Sequence, residues 1–194
     1  MSLIFDTETT GLPECPKYGV YPDYWVLEDY RNARIVQISY ILVDKYYDIL
    51  EQSDTIIKRD QFKIENHRFH GITEEISDTC GIPFVEWAKN FYKSLFKCNR
   101  LMAHNINFDI NVLRAELYRY RLEYIIELLD TKTFFCTMLK TKKMVNATFK
   151  NSNDIKDPNL KELYFYATGK QMENHHNSFH DTQNLYIAIK ILKL

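Results

Sequence analysis

The sequence predicts an α/β domain in which a mixed five-stranded sheet is flanked by helices. Short apolar runs of strand type recur along the chain, and longer segments with apolar residues at helical spacing stand between the later runs. A length of 194 residues and a hydrophobic fraction of 45% are sufficient for one substantial core. We therefore expect a single domain over residues 1–194.

Five segments predict strands. Residues 3–5 are an apolar run, and residues 35–43 carry apolar side chains at odd and even positions, as expected of a central strand covered on both faces. Residues 49–58 follow after a turn, so the first three strands predict a meander. Residues 101–103 predict a short buried strand, and residues 124–129 predict the fifth.

Helices are predicted between and after the later strands. Pro83 opens a helix with one apolar face, and another helix follows the fourth strand. Residues 131–144 and 160–167 also predict helices, with a polar linker between them. By contrast, residues 13–33 combine prolines with many aromatic residues and predict an irregular insertion.

The last predicted helix, from about residue 179 to residue 192, carries an acid on its apolar face. Asp181 lies at helical spacing from Leu185 and Ala188. An unpaired buried carboxylate is costly, and a metal ion would remove that cost. This position therefore indicates a functional carboxylate.

Charge and cysteine content set broad limits on function. The net charge of −1 does not indicate a strongly basic surface, although a carboxylate cluster that binds cations reverses the local sign. The four cysteines are scattered without a C-x-x-C pair, which favours free thiols in a reducing compartment. No secretory leader pattern is visible, so we expect an intracellular protein of the cytoplasm or nucleus.

The first strand continues into the strongest local motif of the chain, Asp6-Thr7-Glu8-Thr9-Thr10-Gly11. Side chains alternate along an extended chain, so Asp6 and Glu8 point to the same face. Two carboxylates at this range repel each other unless a cation lies between them, and Mg²⁺ prefers such oxygen ligands. The alternative is an exposed strand end with solvated acids.

Two further segments each add an acid. His104-Asn105-Ile106-Asn107-Phe108-Asp109 turns from a strand into a helix and places Asp109 in its opening turns. On its own, Asp109 is also explained by the helix dipole. His176-Asn177-Ser178-Phe179-His180-Asp181 brings the fourth acid, with a histidine five positions before it.

In this order the motifs resemble those of the DnaQ-like, DEDDh family of 3′-5′ exonucleases, which has a ribonuclease H-like fold. The segment His70-Gly71-Ile72-Thr73 also resembles the family segment that follows the third strand. Ser178 and Thr182 depart from the family pattern, which commonly has alanine at both positions. The resemblance spans nearly the whole chain.

The resemblance implies a catalytic set of four acids and one histidine. Asp6, Glu8, Asp109 and Asp181 would hold two Mg²⁺ or Mn²⁺ ions, and His176 would act as the general base. The spacing of His176 and His180 also leaves open a zinc site, but no Glu occupies position 177 as a zinc-peptidase pattern requires.

The resemblance also implies contacts with the terminal nucleotide. The candidate residues are Thr9, Thr10, Leu12, Ile72, Asn105 and Phe108, with Leu12 wedged beside the last base. Core packing is an equal explanation for Ile72 and Phe108. Our own hypothesis is that rings in residues 13–33 stack on unpaired bases, although ordinary aromatic packing also explains them.

The sequence therefore predicts a metal-dependent 3′-5′ exonuclease that releases nucleoside 5′-monophosphates, with DNA slightly favoured over RNA. The expected partner is nucleic acid with a free single-stranded 3′ end, and association as a homodimer or with a polymerase stays open. The alternatives are a non-catalytic nucleic-acid-binding module on the same fold and a protein-interaction domain with an incidental metal site. Motifs for a P-loop, a nucleophile elbow or a dinucleotide fold are absent from the sequence.

Overall fold

A computed structural model describes residues 1–17, 19–173 and 177–194. Its central sheet consists of β1 (Ser2–Thr9), β2 (Ile35–Val43), β3 (Ile49–Ile56), β4 (Arg100–Ala103) and β5 (Thr133–Cys136). The strand order is β3-β2-β1-β4-β5, in which β1, β2 and β3 are antiparallel neighbours while β4 and β5 run parallel to β1. The mixed five-stranded sheet and the meander are confirmed.

The described part of the chain contains eight α-helices. They are α1 (His67–His70), α2 (Glu74–Cys80), α3 (Phe84–Lys97), α4 (Ile106–Arg119), α5 (Glu123–Asp130), α6 (Thr137–Val145), α7 (Leu160–Thr168) and α8 (Ser178–Leu192). No described helix is both long enough and apolar enough to span a bilayer.

The two faces of the sheet are covered by different helices. Leu3 and Phe5 of β1 belong to the larger core, which includes residues of α3, α4 and α5. Ile4 points to the other face and packs in a second cluster with Leu163 of α7 and Leu185 of α8. Because side chains alternate along a strand, Asp6 and Glu8 lie on the same face of β1 as Ile4, and α8 covers that face.

The predicted fifth strand at residues 124–129 is wrong. Glu123–Asp130 forms α5, with Ile125, Ile126 and Leu129 buried at helical spacing. The true fifth strand, Thr133–Cys136, falls inside the predicted helix 131–144, and only the later part of that segment is helical, as α6. A six-residue segment that is apolar except for Glu127 does not distinguish a buried strand from a buried helix, so the local pattern was insufficient.

The segment between β1 and β2 packs onto the domain. It contains a 3₁₀ helix, Leu27–Tyr30, and the fully buried Tyr30 donates its hydroxyl to the carbonyl oxygen of Pro22 at 2.7 Å. Tyr24 packs edge-on against Tyr118 of α4, with ring centroids 5.9 Å apart. Tyr24 and Tyr30 therefore contribute to ordinary aromatic packing, which was the alternative to base stacking for the rings of this segment.

Candidate active site

Asp6 and Glu8 lie on the same face of β1, in the half of the strand that leads to its carboxyl end. In the sheet register, Asp6 pairs with Ser39 and Glu8 with Gln37 of β2. Both acids are partly buried, because α8 covers this face of the sheet. The predicted side-by-side arrangement of the two carboxylates is therefore present.

Hydrogen bonds to β2 fix the beginning of α8, where Asp181 lies in the first turn. Asn177 caps the helix by accepting from the backbone N–H groups of Phe179 and His180. The Ser178 backbone N–H donates to Gln37 Oε1 at 3.2 Å, and the Ser178 and Ser39 hydroxyls lie 2.7 Å apart.

Thr182, one turn further along α8, also holds this helix against β2. Its hydroxyl donates to the Ser39 carbonyl oxygen at 3.4 Å, and both Ser178 and Thr182 are fully buried. These are the two positions at which the chain departs from the alanines of the resembled family. Here their hydroxyls fix the position of Asp181 relative to the sheet.

Three of the four acids converge. One carboxylate oxygen each of Asp6, Glu8 and Asp181 lies within 4.8 Å of the other two. Oxygen atoms at this separation suit a hard divalent cation, whose ligands lie about 2.0–2.6 Å from the ion.

Asp109 reaches the same region from the neighbouring strand. Strand β4 lies parallel to β1, and after it the chain passes through Asn105 in the left-handed conformation (φ 68°) into α4. Asp109 is 2% exposed and accepts hydrogen bonds from the backbone N–H of Thr7 at 3.1 Å and from its hydroxyl at 2.8 Å. Because the carboxyl ends of parallel strands share an edge, Asp109 lies beside the acids of β1.

The four acids strongly affect one another. Burial first, then the charges of Asp109, Glu8 and Asp181, raise the pKa of Asp6 well above its ordinary value. Burial and then the charges of Asp181 and Asp109 raise the pKa of Glu8 to about 8. Burial raises the pKa of Asp109 to about 7, although the hydrogen bonds from Thr7 act in the opposite direction.

This charge arrangement fits a cation site. Four carboxylates that repel one another at partly buried positions need compensating positive charge, which a divalent cation supplies. The donor set consists of oxygen atoms, which suits Mg²⁺ or Mn²⁺. Asp6, Glu8, Asp109 and Asp181 therefore remain our candidate ligands.

We predict that Glu8→Gln stabilises the metal-free protein at alkaline pH. The folded protein retains the Glu8 proton up to about pH 8, whereas the unfolded chain loses it near pH 4.5, so the free energy of unfolding falls as pH rises through this window. Gln removes this penalty. We expect about 2–4 kcal/mol of stabilisation at pH 8, or about 4–16 °C in Tm, and less than about 1 kcal/mol at pH 5.

Thermal unfolding in EDTA at both pH values measures this effect. Saturating Mg²⁺ should reverse the benefit, since the wild-type carboxylate then gains a partner. Equal Tm values for Glu8→Gln and wild type in EDTA at pH 8 would show that burial of the Glu8 carboxylate beside the other acids does not destabilise the metal-free protein.

The histidines of the second and third motifs differ in their positions. His176, the predicted general base, and its neighbour His175 lie outside the described residues. His180 is exposed on α8. His104 is structural in its contacts, since its Nε2 donates to the Pro158 carbonyl oxygen at 2.9 Å, and burial lowers its pKa to about 4.

Two clefts share one side chain, and the first of them is lined by the acid Glu8. The first cleft, of about 880 Å³, is lined by Glu8, Thr9, Thr10, Gly11, Leu12, Arg31, Asn32, Phe62, Lys63, Glu65, Asn66, Phe69 and His70. The second cleft, of about 560 Å³, is lined by Leu12, Pro13, Cys15, Gly19, Tyr21, Asn105, Asn107, Phe108, Met138, Leu139 and Asp157. Leu12 is 73% exposed and lies between them.

The candidate substrate residues are thus divided between the two clefts. Thr9 and Thr10 line the first, Asn105 and Phe108 line the second, and Leu12 lines both. Ile72 is placed elsewhere: it is 4% exposed and packs with Val36 and Ile64 in a small apolar cluster. For Ile72 the arrangement favours core packing over lining of the cleft.

Sequence reasoning missed the residues that position the acids. Thr7 binds Asp109, and Gln37, Ser39, Ser178 and Thr182 hold α8 against β2. A signal existed for two of them, because Gln37 and Ser39 stand two residues apart in an otherwise mostly apolar central strand. Polar side chains at such buried positions require partners.

Comparison with known proteins identifies the fold and the family. The family model described as "Exonuclease" matches residues 3–189. A search of curated proteins found no match.

Several solved structures of exonucleases are similar to this chain. An exonuclease I structure matches with a TM-score of 0.72 and 17% sequence identity. E. coli exonuclease I in complex with a dA16 oligonucleotide matches with a TM-score of 0.67 and 17% sequence identity. Both matches cover 99% of this chain and 40% of the exonuclease I chain. Exonuclease X in complex with 5′ overhanging duplex DNA matches with 0.58 and 19%, over 100% of this chain and 92% of that one.

The present chain thus spans about 40% of the exonuclease I chains that it matches. At these identities the structural likeness shows the fold, and it confirms the predicted α/β class. The family match extends over nearly the whole chain, from the first acid motif on β1 to the last helix, and confirms the predicted family. The chain belongs to the exonuclease family.

Proposed function

We propose that this chain is a metal-dependent 3′-5′ exonuclease that releases nucleoside 5′-monophosphates from single-stranded 3′ ends. The observation that carries the proposal is the convergence of Asp6, Glu8 and Asp181 within 4.8 Å of one another. Asp109 adds a fourth carboxylate, which is itself buried, beside them. Such a cluster destabilises a fold unless it binds a cation, so its presence supports catalytic use.

The acids would hold two divalent cations, with Mg²⁺ or Mn²⁺ as the expected metals. When bound, such a pair supplies Lewis-acid stabilisation of a phosphodiester undergoing hydrolysis and activation of water. Within the chain, Thr7 keeps Asp109 in place, and the contacts of Ser178 and Thr182 keep Asp181 in place. These supports leave the carboxylates little freedom to reorganise.

His176 is our candidate for the general base. Its imidazole nitrogen would accept a proton from the attacking water, a role that suits a group titrating near neutral pH. Support comes from its place in the sequence, five positions before Asp181.

The relatives favour DNA as the substrate. Exonuclease I has been solved with a dA16 oligonucleotide and exonuclease X with 5′ overhanging duplex DNA. The two clefts, of which the first is lined by Glu8, carry aromatic side chains and suit unpaired bases, because such bases stack on aromatic rings irrespective of sequence.

Digestion of 5′-labelled DNA and RNA oligonucleotides tests the proposal. We expect shortening of single strands one nucleotide at a time from the 3′ end with Mg²⁺ or Mn²⁺, and no shortening with EDTA. DNA should be degraded faster than RNA. Binding of the oligonucleotides without release of mononucleotides under any metal condition would instead support the non-catalytic module.

A further inference from the structure

We propose that Asp54 of β3 is a positioning residue for the cation site, because it fixes the first turn of α8 through two polar side chains of β2. That turn carries Asp181. The inference rests on the proposed function and extends it to a residue outside the described group of converging acids and outside the described lining of both clefts.

Asp54 forms hydrogen bonds with both polar side chains of the central strand β2. Its Oδ1 accepts from Gln37 Nε2 at 2.7 Å and from the Ser39 hydroxyl at 2.9 Å. In the sheet register, Ser39 pairs with Asp54 on one side and with Asp6 on the other. Because directly paired residues share a face of the sheet, Asp54, Ser39 and Asp6 form one row across three strands, on the face that α8 covers.

The carboxylate of Asp54 determines the direction of the next hydrogen bonds. Because an ionised carboxylate only accepts, the Gln37 amide directs its nitrogen to Asp54 and its Oε1 to the Ser178 backbone N–H, which donates to it at 3.2 Å. Ser39 donates its single hydroxyl proton to Asp54, so its oxygen accepts from the Ser178 hydroxyl at 2.7 Å. Both bonds to Ser178 therefore depend on an acceptor at position 54.

Burial makes this arrangement specific. Gln37 is 2% exposed, and Ser39 and Ser178 are fully buried, whereas Asp54 is exposed on the edge strand β3. A buried polar group that lacks a partner is costly, so Gln37 and Ser39 keep these orientations while Asp54 accepts from them.

The beginning of α8 determines where Asp181 lies. Ser178 is the first residue of the helix, and the carboxylate of Asp181 in the same turn approaches Asp6 and Glu8 within 4.8 Å. Without an acceptor at position 54, the Gln37 amide is free to rotate and two hydrogen bonds between α8 and β2 lose their fixed direction. Side chains that orient metal ligands without binding the metal typically contribute about 10- to 100-fold to metal affinity or activity.

Calorimetric titration of the metal-free protein with Mn²⁺, without nucleic acid, tests the inference. Asp54→Ala should weaken cation affinity about 10-fold, the lower end of that range, because Asp54 acts on α8 through β2. Asp54→Asn should stay within about 2-fold of wild type, because its amide oxygen can still accept from both partners. The double variant Asp54→Ala and Ser178→Ala should lose less affinity than the two single losses multiplied together, because both act on the same hydrogen bonds.

Activity provides a second measurement. With Mg²⁺ near the dissociation constant of wild type, Asp54→Ala should lower kcat and leave the KM for oligonucleotides near its wild-type value. Gln52→Ala is the matched control, because Gln52 is exposed two positions earlier on the same strand and has no described side-chain hydrogen bond. It should bind Mn²⁺ as wild type does.

Because calorimetry needs no hydrolysis, a wild-type protein that binds Mn²⁺ without degrading oligonucleotides counts against the proposed function alone. The inference is overturned if folded Asp54→Ala protein binds Mn²⁺ as tightly as wild type. It is also overturned if Asp54→Asn loses as much affinity as Asp54→Ala, since the charge and not the hydrogen bonds would then matter, or if the losses of Asp54→Ala and Ser178→Ala are independent.

Discussion

Asp6→Asn is expected to lower the release of mononucleotides by about 1,000-fold or more. The substitution preserves the shape of the side chain but removes one negative charge from a cluster in which Asp6, Glu8 and Asp181 approach within 4.8 Å. A neutral amide binds a divalent cation far less tightly than a carboxylate does. Asp181→Asn should have an effect of the same size, measured in the digestion assay with Mg²⁺.

The controls separate loss of the metal from loss of the fold. Glu127→Gln removes an exposed acid from α5 and should leave activity unchanged. Asp6→Asn should also raise Tm in EDTA, because burial and repulsion raise the pKa of the carboxylate that it replaces. His176→Ala should slow turnover while cation affinity, measured by calorimetry, stays near that of wild type. Substantial activity in purified Asp6→Asn protein would refute the assignment.

Local patterns in the sequence indicated three of the four candidate acids, and the resemblance to the exonuclease motifs added Asp109 to the set. Asp6 and Glu8 alternate along a strand, and Asp181 stands on the apolar stripe of a helix. These periodicities operate over a few residues and need no knowledge of the tertiary fold.

What could not be predicted depends on long-range contacts. Asp109 is held by Thr7, 102 positions away, and Ser178 lies against Ser39, 139 positions away. The fifth strand was misplaced for a related reason. The four-residue β5 is defined by its pairing with β4, and its half-exposed side chains give no clear alternation of their own.

Glu116→Gln is expected to cost about 3–5 kcal/mol of the free energy of unfolding, or about 6–20 °C in Tm. Glu116 is 2% exposed, and its Oε1 lies 2.6 Å from Nε of the buried Arg34. Its Oε2 also accepts from Arg119 Nε at 3.2 Å. Neutralising Glu116 therefore leaves two guanidinium groups close together with no buried counter-charge.

The more exposed ion pair between Arg114 and Asp130 should contribute less to the free energy of unfolding. Asp130→Asn removes a partner of Arg114 whose side chain is 46% exposed, so we expect a loss of at most about 1 kcal/mol. The double variant Arg34→Met and Glu116→Leu should recover only part of the loss. It removes the Arg34–Glu116 pair, but Arg119 loses its carboxylate partner. The backbone N–H of Ile35, which donates to Glu116 Oε1 at 3.2 Å, also stays unsatisfied.

The Arg34–Glu116 ion pair should also affect substrate binding, because Arg34 contacts residues that line the first cleft. The Arg34 backbone N–H donates to the Thr10 hydroxyl at 3.0 Å, and its guanidinium lies 4.3 Å from the centre of the Phe62 ring. Thr10 and Phe62 both line the first cleft. Below its Tm, Glu116→Gln should therefore raise the KM for oligonucleotides more than it lowers kcat. An unchanged KM together with the predicted drop in Tm would confine the pair to a role in stability.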